Sequence, residues 1–367
     1  MEKTDATRLG GIDFARVTAG FMVVAIHNLW WGGVLRHYDQ MDWDWAAAWF
    51  FEALVIVAVN LFGLISGYLL IHHDMKFKKV LQLWGQALAM GLVTLVVIGS
   101  LQPQILTSQT IVQTLFPISA RTYWYFSAYL FVYLMLPIIN AGIKQLPQRV
   151  FGQITLALLG IAITVGWQGN FFLRGGFTGA WLLILYFVGA YWRLYGLPKR
   201  LNALNKWQAL LVYGGASAFG WLCTIIPPLF GKSDIATVDK TFLSYLSPNV
   251  VIATLALFHF FVQMPSLRDA RQKFVARVGA LTFAVFLLDR SPAFWEGVLH
   301  SRMQHVTTYL NDVVGLPTVV GAVLLSLAMF VILASVAGMI LAIPEVVQQR
   351  RRRLQRRRRH LPQRAYY

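Results

Sequence analysis

The stretch GIDFARVTAGFMVVAIHNLWW, residues 11–31, decides the fold class of this chain. An α-helix rises ~1.5 Å per residue, so about 20 apolar residues cross the ~30 Å hydrocarbon core of a bilayer. Three ionisable residues, Asp13, Arg16 and His27, lie inside this otherwise apolar run. Such a residue costs about 2.5–3.5 kcal/mol at the centre of a membrane helix, so it usually faces the protein interior at a functional site. The stretch therefore predicts a membrane helix with one functional face.

The spacing of the ionisable residues places two of them on that face. Helical residues turn by ~100° and rise by ~1.5 Å each, so Arg16 and His27 fall within about 20° of one another and about 16 Å apart along the axis. Gly20 and Val23 lie between them and leave room for a slim ligand. We expect Arg16 to bind a phosphate or carboxylate and His27 to act as a general base.

Each of these residues also has a purely structural interpretation. Asp13 is three residues before Arg16, at the spacing of a helical ion pair, and Arg16 can extend to the membrane interface. His27 can form a hydrogen bond to a neighbouring helix. We expect Asp13 and Arg16 to shape the entry of an anionic ligand, and these structural interpretations stay open.

Composition extends the membrane assignment to the whole chain. Of the 367 residues, 57% are hydrophobic and 13% are charged, whereas soluble domains carry about 25% charged residues. Apolar runs recur between short polar loops, which predicts an all-α, polytopic membrane helix bundle of about ten transmembrane helices. The runs lie near residues 12–31, 47–71, 80–101, 123–140, 153–168, 177–194, 208–230, 247–264, 278–299 and 314–343.

The distribution of positive charge predicts the orientation. Most of the 32 lysines and arginines lie in alternate loops and in the tail after residue 343, and cytoplasmic segments carry such an excess. We expect both termini in the cytoplasm, a transmembrane domain over residues 1–343 and a basic cytoplasmic tail over 344–367. The net charge of +17 then serves contact with the lipid bilayer rather than with nucleic acid. A bacterial plasma membrane is the expected location.

The second apolar run and the loop after it supply further candidates. Glu52 lies at a depth comparable to that of His27, and we expect it to orient or charge-stabilise that imidazole; an interfacial carboxylate facing water is the alternative. Three lysines at the cytoplasmic edge are expected to bind an anionic ligand, with positive-inside topology as the alternative. They are Lys76, Lys78 and Lys79.

The fourth run opens with aromatic residues. Tyr123 and Trp124 are expected to form a stacking platform for a sugar, with Arg121 donating hydrogen bonds, although aromatic residues at this depth also serve as membrane anchors. The roles of His259 and of the neighbouring Asp289 and Arg290 remain open at this stage, except that Asp289 and Arg290 can neutralise one another.

Several function classes lack their motifs. The chain has no P-loop, no HExxH-type zinc motif and no dinucleotide-binding glycine pattern. It has no Gly-x-Ser-x-Gly nucleophile elbow either. We therefore expect no metal and no permanently bound cofactor.

Three motifs together resemble one family. They are the spacing Asp13-x2-Arg16-x10-His27, the segment Leu61-Phe-Gly-Leu-Ile-Ser-Gly-Tyr68, and Tyr123-Trp-Tyr-Phe126 leading to Pro137. The chain resembles the acyltransferase-3 family of integral-membrane sugar O-acyltransferases over about residues 10–343. The resemblance implies transfer of an acyl group, often acetyl, from cytosolic acyl-CoA to a hydroxyl of an extracytoplasmic glycan or its lipid-linked precursor. It also implies that His27 is catalytic, as base or as transient acyl carrier, and that Arg16 lies on the CoA side.

The chain departs from the family pattern at two places. The family often has Tyr-Leu-Ile-His near the end of the bundle, where this chain reads Phe286-Leu-Leu-Asp289. The stretch Phe116–Thr122 also lacks a histidine that is often found there. His27 is thus left as the one motif histidine.

Two other functions remain as alternatives. A polytopic transporter or flippase of a small solute or lipid-linked sugar would use the same polar groups for passage, although the sequence shows no internal repeat of the kind that transporters often have. A catalytically silent scaffold in a polysaccharide export complex is the third possibility.

Overall fold

The computed structural model describes residues 10–37, 42–120, 122–167, 172–230, 241–265 and 269–359. It is 83% helix, and the described residues contain no strand, which confirms the all-α prediction. Eleven long helices form the bundle in the described part of the chain. They are α1 Gly10–Trp30, α2 Trp43–Val55, α3 Ala58–Leu70, α4 Phe77–Leu101, α5 Trp124–Gln145, α6 Gln148–Ile161, α7 Gly179–Tyr195, α8 Lys206–Leu229, α9 Pro248–Val262, α10 Asp269–Asp289 and α11 Thr318–Arg359.

Short helical segments lie in the connections. The α-helical ones are Val34–His37, Ser108–Leu115, Lys199–Asn202, Pro292–Phe294 and Met303–Val314. Single π-helical turns cover Ala162–Gly166 and Trp295–Leu299, and 3-10 turns cover Pro103–Ile105 and Arg174–Gly176.

Seven helical stretches in the described chain are long and apolar enough to cross a membrane. The predicted sixth and eighth spans correspond to α7 and α9, which are only 17 and 15 residues long. The predicted ninth span corresponds to α10, whose first half is rich in charged residues. The count of about ten spans therefore remains a prediction. The seven stretches are Gly10–Arg36, Trp43–Leu70, Phe77–Leu101, Trp124–Gln145, Gln148–Gly166, Lys206–Pro228 and Thr318–Ile343.

Helices α3 and α7 approach closely because glycines face each other's backbone. A Cβ added to Gly67 would lie 2.0 Å from the carbonyl oxygen of Tyr186, and one added to Gly189 would lie 2.2 Å from that of Leu64. The absence of a side chain at these positions allows the backbones to touch, as in other membrane helix pairs. Gly67 thus allows α3 and α7 to pack closely.

Helices α1 and α10 run parallel. Near their starts, Gln272 Nε2 donates to Asp13 Oδ2 over 3.1 Å, and near their ends His27 pairs with Asp289. The two ends of α1 are therefore each tied to the corresponding end of α10.

Helix α11 runs antiparallel to α1. Asn28 Nδ2 donates to Ser326 Oγ over 3.0 Å near the start of α11, and the ring of Phe330 lies 6.4 Å from that of Phe21 one turn later. The later part of α11 consequently extends toward the end of the bundle at which α1 begins.

Candidate active site

A cavity of about 360 Å³ lies between α1, α3, α4, α5 and α10. One face of α1 forms its wall, and the residues on that face are Arg16, Gly20, Val23 and His27. This is the face that helical periodicity predicts, so the structure confirms their common orientation. We call the two extremes of the cavity its arginine end and its histidine end.

The histidine end contains a buried pair between the imidazole and a carboxylate. His27 Nδ1 bonds to Asp289 Oδ2. Asp289 is fully buried at the end of α10, and the His27 side chain is 13% exposed. A carboxylate on Nδ1 holds the proton on that nitrogen and leaves Nε2 as the nitrogen that can accept a proton from a substrate in the cavity. A base oriented by a carboxylate is an arrangement that activates hydroxyl groups in transferases and hydrolases.

Asp289 is the residue that sequence reasoning missed. It lies 262 positions from its partner, and the sequence suggested only a local pair with Arg290. In the structure Arg290 lies instead over the ring of Trp295, 3.7 Å from its centroid. One feature of the sequence could have identified it: an aspartate lies near the end of an apolar run, where the family named above often has a histidine.

Glu52 has a different partner from the one expected. Its side chain is fully buried, and Oε1 accepts a hydrogen bond of 2.8 Å from Trp30 Nε1. The structure therefore gives His27 the carboxylate of Asp289 rather than that of Glu52. Both carboxylates come from predicted spans, and only the packing of α1 against α10 decides between them.

At the arginine end, Arg16 and Asp13 form the local ion pair that their spacing allowed. Arg16 Nη1 lies 3.8 Å from Asp13 Oδ1, and Asp13 also accepts a hydrogen bond from Gln272. The Asp13 side chain is 9% exposed, whereas that of Arg16 is 38% exposed and lines the cavity. Asp13 thus anchors α1 to α10, and Arg16 presents its cation to the cavity.

Of the three lysines expected to bind an anionic ligand, only one lines the cavity. Lys79 lines the cavity, whereas Lys76 and Lys78 are exposed on the neighbouring positions of the chain. The backbone N–H of Lys76 donates to Tyr133 Oη over 3.2 Å. Two cations, from α1 and α4, therefore face one side of the cavity, where an anionic group can bind.

Further positive charge surrounds the connection between α3 and α4. Partial burial lowers the pKa of His72 from its ordinary value, and the nearby charges of Arg193, Lys144 and His73 lower it further. Asn140 Nδ2 donates to the carbonyl oxygen of His73 over 3.2 Å and so ties this connection to α5. Arg193 and Lys144 therefore add positive charge beside this connection.

Comparison with known proteins decides the family. The family model described as Acyltransferase domain, Acyl_transf_3, matches residues 9–343. The chain belongs to the acyltransferase-3 family. No curated protein and no solved structure matches it. The matched region contains all five helices that line the cavity, so the chain is a multi-pass membrane acyltransferase whose cavity is the candidate active site.

A ladder of tyrosines forms the opposite wall of the acyltransferase cavity. Tyr125, Tyr129 and Tyr133 are spaced by four residues on α5, and their rings stack with centroid separations of 6.5 and 6.2 Å. Tyr125 and Tyr129 line the cavity, and Tyr133 contacts the backbone of Lys76. The ladder thus follows the cavity from the histidine end toward the lysines.

The three residues expected to bind a sugar are in different surroundings. Trp124 lines the cavity. Tyr123 is 1% exposed and donates a hydrogen bond of 3.2 Å to the carbonyl oxygen of Leu287, so it ties α5 to α10. Arg121 lies outside the described residues. An open platform at Tyr123 is therefore not what the structure shows.

The remaining polar candidate lies apart from the cavity. His259 Nε2 lies 3.0 Å from the carbonyl oxygen of Leu204, beside Gln263. No group of acidic, histidine or cysteine side chains suited to a metal occurs in the described part of the chain. His259 thus has a packing role between α9 and the loop before α8.

Proposed function

We propose that this acyltransferase transfers an acetyl group from cytosolic acetyl-CoA to a hydroxyl of an extracytoplasmic glycan or its lipid-linked precursor. One observation carries the proposal: a single cavity joins cations at one end to the His27–Asp289 pair at the other. The ~16 Å between Arg16 and His27 along α1 is comparable to the reach of an extended phosphopantetheine arm. One acetyl-CoA molecule can therefore have its phosphates at the arginine end and its thioester at His27.

The donor is held by charge at one end and by packing along its arm. Arg16 and Lys79 are the cavity cations that bind the CoA phosphates, with Lys76 and Lys78 adding positive charge beside them. The stacked rings of Tyr125 and Tyr129 give the apolar part of the arm a flat wall. Acyl-CoA is a substrate in this scheme, and no permanently bound cofactor is required.

The chemical step is a direct transfer with His27 as general base. His27 Nε2 removes the proton from the acceptor hydroxyl while the oxygen attacks the thioester carbonyl carbon. Asp289 accepts the Nδ1–H bond and stabilises the imidazolium that forms. The tetrahedral intermediate collapses with cleavage of the C–S bond, and the imidazolium returns its proton to the leaving thiolate. The products are the O-acyl ester and CoA.

The proposed reaction also requires a topology. About ten spans with both termini in the cytoplasm would put the arginine end on the cytoplasmic side, where acyl-CoA is made. The His27–Asp289 pair would then lie toward the outer surface of a bacterial plasma membrane, where a glycan is accessible. The excess of lysine and arginine in alternate loops supports this arrangement.

Radiolabelled acetyl-CoA tests the proposal. Membranes that contain the wild-type protein should release CoA and transfer label to surface glycan, and His27→Ala should lower both by about 10²–10⁴-fold, the usual contribution of a general base. His305→Ala is the matched control, because His305 is exposed and does not line the cavity.

Two results would contradict the proposal. Equal labelling by wild type and His27→Ala would remove the catalytic role of His27. Absence of CoA release in wild type, combined with uptake of a small solute that depends on His27, would indicate a transporter instead.

A further inference from the structure

The functional face of α1 continues beyond the cavity to an exposed tryptophan. Trp31 follows His27 by one turn, and its backbone N–H donates to the carbonyl oxygen of His27 over 2.9 Å. Trp31 therefore extends the face formed by Arg16, Gly20 and Val23, about 6 Å past the imidazole. Its side chain is 47% exposed and is not part of the cavity wall. A molecule that approaches His27 from this side meets Trp31 first.

A second tryptophan joins Trp31 to the imidazole. The ring of Trp295 lies 4.9 Å from that of Trp31 and meets the ring of His27 edge-on, with 6.3 Å between centroids and 83° between planes. Arg290 covers Trp295 at 3.7 Å from its centroid. Trp295 is thus held between a cation and the catalytic pair, while Trp31 keeps an accessible surface.

The backbone that presents Trp295 has unusual geometry. Trp295 begins the π-helical turn that ends at Leu299, and Ser301 has a positive φ of 53°. The N–H of Ser301 donates to the carbonyl oxygen of Trp31 over 2.8 Å, which joins this segment to the end of α1. Single π-turns and non-glycine residues with positive φ occur often at functional sites.

Polar side chains of both charges surround the two tryptophans. Glu296 and His300 approach within 3.7 Å, and both side chains are about half exposed. Arg290 is adjacent to Asp289 and lies near Glu296, so two carboxylates offset its charge. Carboxylate, imidazole and guanidinium groups together offer both donors and acceptors of hydrogen bonds.

We propose that Trp31, supported by Trp295, is the binding platform for a neutral pyranose ring of the acceptor. The apolar C–H face of such a ring stacks on the exposed indole, as apolar groups do on aromatic faces. Its hydroxyls then meet Glu296, His300 and Arg290, and one hydroxyl points toward His27 Nε2. This subsite rests on the proposed function, because it names the acceptor of that reaction.

Measuring glycan labelling and CoA release separately tests the subsite. In membranes supplied with radiolabelled acetyl-CoA, Trp31→Ala should lower labelling of surface glycan per unit of protein by about tenfold, since loss of an aromatic contact costs about that factor. With purified protein and no glycan, water replaces the acceptor hydroxyl, and CoA release by this hydrolysis should stay within about twofold, because the donor cavity and the His27–Asp289 pair are unchanged. Trp31→Phe should restore most of the labelling.

The control is Trp84→Ala, because Trp84 on α4 is 43% exposed, nearly as much as Trp31, and lies outside the cavity wall. Wild-type labelling by Trp31→Ala would overturn the platform, and so would an equal loss of labelling and of the CoA release measured without glycan. Failure of the proposed function is distinct from either result, because the wild-type protein itself would then release no CoA from acetyl-CoA.

Discussion

His27 and Asp289 are 262 positions apart in the chain, yet each supplies what the other needs. A carboxylate that is fully buried in a membrane protein requires a hydrogen-bonded or charged partner, because burial of an isolated ionised group is very costly. The imidazole, in turn, needs a fixed tautomer to act as a base. The pair satisfies both requirements at one point of the cavity.

Substitution of the two buried carboxylates distinguishes their roles. Asp289→Asn should lower kcat by about 10²–10⁴-fold, because an amide can donate to the imidazole and favour the wrong tautomer. Glu52→Gln should have a much smaller effect, since the amide oxygen of Gln can still accept the hydrogen bond from Trp30 Nε1. The measurement is CoA release at saturating acetyl-CoA. A larger loss in Glu52→Gln than in Asp289→Asn would contradict the assignment.

Sequence reasoning at the residue scale succeeded where chemistry depended on one helix. The common face of Arg16, Gly20, Val23 and His27 follows from a rotation of ~100° per residue. Helical periodicity did not identify the partner of His27, because Asp289 lies on another helix. By depth the sequence favoured Glu52, and it left the role of Asp289 open.

At the scale of helices, glycines set the separation between α3 and α7 and hence the width of the cavity. Ser66 and Leu70 on α3 line the cavity, while Gly67 on the same helix packs against the backbone of α7. Any increase in this separation moves the cavity wall. The packing of α3 against α7 therefore positions the residues of α3 that line the cavity.

Gly67→Ala should destabilise the protein by about 1–3 kcal/mol, because the new methyl group would overlap the carbonyl of Tyr186 and force α3 away from α7. Gly142→Ala is the matched control: nothing lies within 4 Å of its added Cβ, so its stability should be unchanged or higher by up to about 1 kcal/mol. Thermal unfolding of the purified proteins in detergent measures both. Equal unfolding temperatures would disprove the close-packing role.

Helix positions were largely predictable, and helix interruptions were only partly so. Long apolar runs predict helices, because the backbone N–H and C=O groups of a segment in hydrocarbon must bond to one another. The end of α10 has a local cause, since Ser291 precedes Pro292 and adopts an extended conformation. The π-turn that begins at Trp295 has no comparable signature, because it depends on contacts with the end of α1.

At the scale of the whole molecule, the arginine end of the cavity lies at the same end of the bundle as other positively charged groups. Helix α11 extends toward the arginine end, where Lys79 and the residues around His72 add further cations. A cytoplasmic arginine end would satisfy both the distribution of positive charge and the supply of acyl-CoA.

Accessibility of single cysteines tests this orientation. In a Cys223→Ser background, which removes the one native cysteine, an impermeant maleimide should label Ser108→Cys in intact cells. Lys144→Cys should react only after the membrane is permeabilised. Both positions are exposed, and they lie in connections predicted to face opposite sides. The reverse labelling pattern would contradict cytoplasmic termini and the direction proposed for transfer.

The sequence by itself determined the helical membrane class, the family motifs and the polar face of α1. These properties depend on hydropathy and helical periodicity, which act over tens of neighbouring residues. Only the tertiary structure decided that His27 pairs with Asp289, that Glu52 bonds to Trp30, and that Trp295 meets the end of α1. Each of these contacts joins distant segments, and it exists only because particular helices pack side by side.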